Sequence, residues 1–302
     1  MKRKVSQIGP ATLMVSLPSK WVKKHNIKKG DEIDISESEG KLIVGGEGEE
    51  IKKTTINLTK SSDSFYKRLF SNAYKKGYDE ILVNFPDENL FSKVMWAIKN
   101  LFGYEIVNQT EKSCLIKSLA NEKAEEFDNL VSKCFLLLKH SAEICYQDIS
   151  EGNAKNLDDI IDLTENIQKF TDFCRRLINK KIYKNSDLAE YHYIILMRLI
   201  LIANKYNYIY SYISKGKKFK ISKDTLNFFS ETNKLIDLFY EAYYKKDITK
   251  INNIDEKKRI LMNKTCEFLK TKKGCENIVI YHLAEIIRLV YDNNSQLMGL
   301  LV

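Results

Sequence analysis

MKRKVSQIGPATLMVSLPSKWVKKHNIKKGDEIDISESEGKLIV, residues 1–44, gathers the excess positive charge of the chain and much of its turn chemistry. Eight of the 49 Lys and Arg residues stand before Gly30 (Lys2, Arg3, Lys4, Lys20, Lys23, Lys24, Lys28, Lys29), leaving 41 cations against 40 acids. No Asp or Glu precedes Gly30, so residues 1–29 carry +8 of the +9 net charge. An acid-free cationic run is the electrostatic footprint of a surface that meets phosphate backbones.

The local pattern is β-rich. Lys2 to Val5 reads as extended, Ile8-Gly9-Pro10 as a turn, and Thr12 to Leu17 as a strand whose Leu13, Val15 and Leu17 share one buried face. Pro18 fits the first turn of a short helix, with Trp21 and Val22 on its apolar side and Lys20, Lys23 and Lys24 elsewhere. Asn26 or the Lys29-Gly30-Asp31 turn ends that helix. Glu32 to Ile35 and Lys41 to Val44 predict two further strands around a hairpin loop at Ser36 to Gly40. Four strands in so few residues bury no core alone, and without disulfide or metal the remedy is obligate dimerisation.

Through Arg3-Lys4-Val5, Gly9, Val15-Ser16-Leu17-Pro18, the Trp21 to Ile27 helix, Lys29-Gly30-Asp31-Glu32 and Gly40-Lys41-Leu42-Ile43-Val44, the stretch resembles the AbrB/MazE-like swapped-hairpin family. That resemblance implies a swapped-hairpin β-barrel made by two interleaved protomers, a homodimer that binds double-stranded DNA. Pro10 stands where the bacterial AbrB type has an arginine, so that contact does not carry over; the Gly9 to Pro18 spacing is closer to the MazE side. Arg3 and Lys4 are the leading candidates for DNA contact, with Lys20, Lys23 and Lys24 as supporting phosphate contacts.

The remainder divides in two. Gly45 to Glu50 reads as a linker that closes a first domain at residues 1–48. Residues 51–119 then alternate strand and helix: Thr54 to Leu58, Asp79 to Phe85, Tyr104 to Val107 and Ser113 to Lys117 as strands, Ser61 to Lys76 and Asp87 to Phe102 as helices. Gly77 and Gly103 follow those helices as C-terminal caps do, which predicts a small α/β middle domain. Ser64 and Lys67 form a bare S-x-x-K, read as chance, with Lys67 as a solvated helical lysine.

After Pro86 there is no proline, and residues 121–302 carry six amphipathic segments, beginning at Glu122, Asn156, Ser186, Lys223, Ile248 and Glu276. An offset of ninety aligns Tyr191-His192 with Tyr281-His282, Arg198-Leu199 with Arg288-Leu289, and Asn204 with Asn294, which favours two three-helix repeats at about 121–216 and 220–302. Tyr206 to Tyr212 and Tyr240 to Tyr244 read as core at helical spacing. This half resembles the PhoU family, regulators of phosphate uptake built as paired three-helix bundles, and the combination with an AbrB-like N-terminus is similar to archaeal phosphate-uptake regulators. The fold class expected is therefore multidomain: swapped-hairpin barrel, small α/β domain, all-α tandem bundles.

PhoU bundles carry a Glu-Arg-Ile-(Gly/Ala)-Asp run that ligates metal. Here the matching runs are Ile200-Leu201-Ile202-Ala203-Asn204 and Val290-Tyr291-Asp292-Asn293-Asn294, both without the Glu–Asp pair, so no metal and no cofactor is expected. Asp158, Asp159, Asp162 and Glu165 read as a solvated helical face. His140, His192 and His282 lack a nucleophile or second ligand at useful spacing; no catalytic residue is assigned and no enzyme is expected. The six dispersed cysteines read as small buried hydrophobes in a reducing compartment. No apolar run suits a membrane span, so the expected location is the cytoplasm.

These readings together predict a dimeric, non-enzymatic DNA-binding transcription regulator of phosphate uptake, with a phosphate-transporter or signalling protein as a further partner. Two alternatives stand beside it: an adaptor that controls a transporter or sensor without DNA, and a toxin-neutralising antitoxin. The second is disfavoured by more than 250 residues of folded chain.

Overall fold

Val5 lies opposite Val15, and Gln7 opposite Leu13, in an antiparallel ribbon of β1 (Val5–Gln7) and β2 (Leu13–Val15), closed by a hydrogen bond from Ile8 N–H to the Thr12 carbonyl at 2.8 Å. The short helix α1 (Ser19–Lys24) follows directly after Pro18. A second ribbon pairs β3 (Ile35–Ser38) with β4 (Lys41–Val44), Ile35 opposite Val44. The first of these strands starts three residues later than the sequence suggests, and its loop is correspondingly tighter, turning at Gly40. The cause is the turn before it, where the Asp31 carboxylate accepts the Lys28 N–H at 2.6 Å. The computed structural model describes residues 2–38, 40–45, 51–183, 185–215 and 219–302. Of the expected linker Gly45 to Glu50, residues 46–50 lie outside them, as does the loop glycine Gly216. The chain forms two units, Met1–Ile51 and Lys52–Val302.

In the second unit a four-stranded sheet has the order β5 (Lys53–Asn57), β6 (Glu80–Asn84), β8 (Ser113–Ser118), β7 (Tyr104–Gln109), with β5 and β6 parallel and the other pairs antiparallel. The parallel pair needs a crossover, supplied by α2 (Asp63–Lys75); α3 (Asn89–Ile98) precedes β7. Strand alternation puts Ile81, Val83, Cys114 and Ile116 on the buried face, with Tyr66, Phe70 and Tyr74 of α2 in the same core. On the other face Glu80 stands between its cross-strand neighbours Lys53, at 2.8 Å, and Lys117, at 2.9 Å; their hydrogen bonds hold its carboxyl below the usual range.

Both glycines that follow these helices have a left-handed backbone, Gly77 at φ 81° and Gly103 at φ 77°. Space restricts them as well. A Cβ on Gly77 would lie 2.6 Å from Lys180 Cγ, and one on Gly103 2.3 Å from Ala120 Cβ.

Among the described residues, seven α-helices complete this unit: α4 (Glu126–Ser150), α5 (Leu157–Asn179), α6 (Ala189–Ser214), α7 (Lys223–Lys245), α8 (Ile248–Thr271), α9 (Cys275–Asp292) and α10 (Asn294–Gly299). The set α4, α5 and α6 packs mutually, as does α7, α8 and α9, and the two sets meet through α6 on α9 and α4 on α7. The final segment, expected as one helix from Glu276 to Leu301, is broken at Asn293. Arg198 donates to the Asp292 carbonyl and the Gln296 side chain at the break. The tyrosine stripe of α6 is only partly core: Tyr206 and Tyr210 are buried, but Tyr208 and Tyr212 are about half exposed. Cys114, Cys134, Cys145 and Cys174 are buried, and burial pushes the Cys134 thiol up to about 12; Cys266 is exposed.

The α/β layer and the helices are joined by α2 lying on α5, around one cation. Arg176 is fully buried. Its Nε donates to Glu122 Oε1 at 2.6 Å, Nη1 to the carbonyls of Tyr74 at 2.9 Å and Tyr78 at 2.7 Å, and Nη2 to Asp79 Oδ1 at 2.6 Å. Lys180 completes the cluster, 2.8 Å from Asp79 and 2.9 Å from Glu122. The guanidinium stacks over the Tyr74 ring at 4.9 Å. Burial works against the Arg176 charge, yet Glu122 outweighs it and its pKa is raised.

Replacing Arg176 with Ala strands two carboxylates and two carbonyls, so the second unit is expected to lose about 3–5 kcal/mol in urea unfolding. Arg176→Lys should recover only part, because one ammonium cannot reach all four acceptors; a loss below about 1 kcal/mol for Arg176→Ala contradicts this role.

His192 gives a pH dependence. It packs edge-on to Phe127 and Tyr183 with Nδ1 2.9 Å from Tyr243 Oη, and burial lowers its pKa to about 4. Above its unfolded value near 6.5 both states are neutral and it contributes nothing to the pH dependence. Below that value the unfolded chain takes up the proton first, so stability falls from pH 6.5 towards pH 4, by up to about 3 kcal/mol. In His192→Gln that part of the slope between pH 7 and pH 4.5 should vanish, as read from urea midpoints.

Candidate nucleic-acid interface

Lys20, Lys23 and Lys24 occupy one face of α1 at i, i+3 and i+4 spacing, all exposed. Trp21 and Val22 are half-buried, and Trp21 meets the His25 ring at 4.9 Å one turn on. The helix ends where the polypeptide enters the left-handed region at Asn26, φ 53°. There Ile27 N–H reaches back to the Val22 carbonyl at 3.1 Å and Asn26 N–H to Lys23 at 3.4 Å. This is the six-to-one and five-to-two pairing of a Schellman cap, with asparagine in place of glycine. Lys23 and Lys24 therefore lie in the last turn, where the helix dipole favours cations. Of the two endings legible in sequence, Asn26 is the one used.

Arg3 and Lys4 lie on a different element, the exposed chain leading into β1. The five candidates thus form two groups, three lysines on one helical face and two cations at a strand entrance. None of the five is buried. Long, flexible, exposed cations suit phosphate contact better than the rigid placement that base reading requires. The Trp21–His25 pair is the feature of α1 that sequence reading passed over; its signal is two rings four residues apart.

Among the residues of the Met1–Ile51 unit whose burial is described, none is buried, so no core lies beneath these cations there. The expected buried face of the first ribbon is open: Val5 is 62% exposed, Leu13 70% and Val15 53%, all three on one side of the β1–β2 pairing. Ile35 at 60% and Leu42 at 71% are equally bare on the second ribbon. A two-stranded ribbon has nothing under it, so the alternation read from sequence produces an apolar face without a cover.

The other sequence candidates are scattered. Asp158, Asp159 and Asp162 are exposed on α5, while Glu165 is engaged by Lys67 at 3.1 Å and Asn100 at 2.8 Å. Ile200, Ile202 and Ala203 are buried in helix packing. His192 serves in packing and one hydrogen bond, as its isolation implied. Among the described residues no helix is long and apolar enough to cross a membrane.

A family model matches residues 7–54, that of antidote-toxin recognition MazE, bacterial antitoxin. No curated protein and no solved structure matches the chain. The match supports the N-terminal swapped-hairpin module and spans α1 and both ribbons except for the first residues of β1.

Proposed function

We propose that the chain is a dimeric, non-enzymatic DNA-binding regulator of transcription. The observation that carries this reading is the coincidence, inside the residues matched by the MazE model, of the exposed lysines of α1, in a run without acids up to Gly30, with two ribbons whose apolar residues Leu13, Val15, Ile35 and Leu42 are exposed. A second copy of the same module supplies the missing half of a barrel and doubles the cationic surface about a two-fold axis, as pseudo-symmetric operators require. The resemblance of the helical half to PhoU extends the reading to phosphate uptake, with a transporter or signalling component as protein partner. Toxin neutralisation is the second reading, favoured by the matched family's own description. The long folded unit after residue 52 weighs against it.

Leu13→Glu combined with Val15→Glu charges the face meant for the partner, and sedimentation should then show a monomer; a dimer that persists removes the interleaved-module reading. For the DNA half, Arg3→Glu plus Lys4→Glu should abolish mobility shifts of operator DNA. The wild-type affinity should fall with salt at a log–log slope of about −0.9 per phosphate neutralised. Undiminished binding by the double variant overturns the assignment of Arg3 and Lys4, and no binding at low salt leaves the adaptor or antitoxin reading.

A further inference from the structure

A cleft of about 460 Å³ opens between α2, α5 and α6. Its α2 wall is the side of that helix opposite Tyr66, Phe70 and Tyr74, and it carries Lys67, Arg68 and Lys75; α5 adds Arg175. These are four cations, with one carboxylate, Asp172, inside the cleft and another, Glu165, bonded to Lys67. The inner pairings are loose. Asp172 must serve both Lys75 and Arg175, each at 3.5 Å, while its other oxygen accepts the Ser71 hydroxyl at 2.7 Å. Arg175 is buried, and its Nε–H has no hydrogen-bond partner. Arg68 makes no ion pair among the described residues. Burial lowers the Lys75 pKa, which Asp172 only partly offsets. Two buried cations, Lys75 and Arg175, that share one carboxylate, with the exposed Arg68 beside them, leave the cleft with spare positive charge that suits an anion.

The opposite wall differs in kind. Met197, Leu201 and Tyr208 of α6 line the cleft and remain 38%, 39% and 51% exposed, on a helix whose other apolar side chains are mostly buried. Asn72 and Asn204 add amide donors and acceptors. A cationic wall facing an apolar, partly aromatic one, with free amides between, suits a ligand with phosphates at one end and a flat heteroaromatic ring at the other. An acyl chain would leave the amides unused, inorganic phosphate would leave the apolar wall bare, and the volume is that of a small-molecule site.

We propose that this cleft binds a nucleotide, its phosphates held by Arg68, Lys75 and Arg175 and its base laid against Met197, Leu201 and Tyr208. Binding at this place draws α2 and α5 together through the ligand and gives the folded unit a small-molecule input. The assignment stands on the cleft alone and is independent of the DNA reading.

The test is calorimetric titration of the full-length protein with AMP, ADP, adenosine and inorganic phosphate. ADP or AMP should bind at least about ten-fold more tightly than adenosine and than phosphate. Arg68→Glu, at an exposed position where it breaks no ion pair among the described residues, should weaken nucleotide binding at least about ten-fold with an unchanged melting temperature. Tyr208→Ala should weaken nucleotide and leave phosphate unaffected. Adenosine binding as well as AMP overturns the role of the cations; phosphate binding as well as ADP overturns the role of the α6 wall; no binding, or binding indifferent to Arg68→Glu, overturns the site.

Discussion

Arg176 is the point on which the larger unit depends. There a fully buried guanidinium meets two carboxylates, two backbone carbonyls and an aromatic face. The elements concerned are far apart in sequence: Tyr74 at the end of α2, Tyr78 and Asp79 before β6, Glu122 before α4, and Arg176 near the end of α5. A buried ion pair adds little net stability compared with a well-packed apolar contact, but it tolerates only one arrangement. With Lys180 the cluster holds two cations and two acids, so its charge closes. Gly77 is part of the same design, since a side chain there would occupy the space of Lys180.

Much of this architecture was legible because it follows from local periodicity. The sheet strands and the six helical segments fall where alternation and 3.6-residue spacing place them, and Gly77 and Gly103 mark the helix ends they were read to mark. What sequence did not reveal is polar and long-range. Asp172, Arg175 and Arg176 carry no local signal that sets them apart from solvated charges on a helix; their burial comes from the docking of α2 and from Asp79 and Glu122. Lys67 was read as solvated for the same reason, although it pairs with Glu165, 98 residues away. The break at Asn293 escaped notice because neither Gly nor Pro marks it, and the contact from Arg198 comes from another helix.

The N-terminal module presents the reverse case. Its cations were visible in composition, and its cap at Asn26 in residue type, but the strand face expected to be buried is bare. Alternation specifies which residues share a face and is silent on what covers it. The expectation of a partner came from size and not from pattern, and the exposures of Val5, Leu13, Val15, Ile35 and Leu42 are the physical form of that expectation.

Two adjacent arginines on α5 show how burial and function separate. Arg176 has a partner at each of its three nitrogens and its charge cancelled within the fold, as a structural cation must. Arg175, one residue earlier and almost as deeply buried, has a shared carboxylate at 3.5 Å, a tyrosine ring at 4.7 Å and an Nε–H without a partner. Its Nη2 reaches Tyr193 Oη at 3.4 Å, so its desolvation is offset, but less fully than that of Arg176. Its neighbour in space, Lys75, draws on the same carboxylate at 3.5 Å. A fold that satisfies one buried guanidinium with four acceptors, yet leaves the next short beside an open cleft, has placed its spare positive charge where a ligand can reach it.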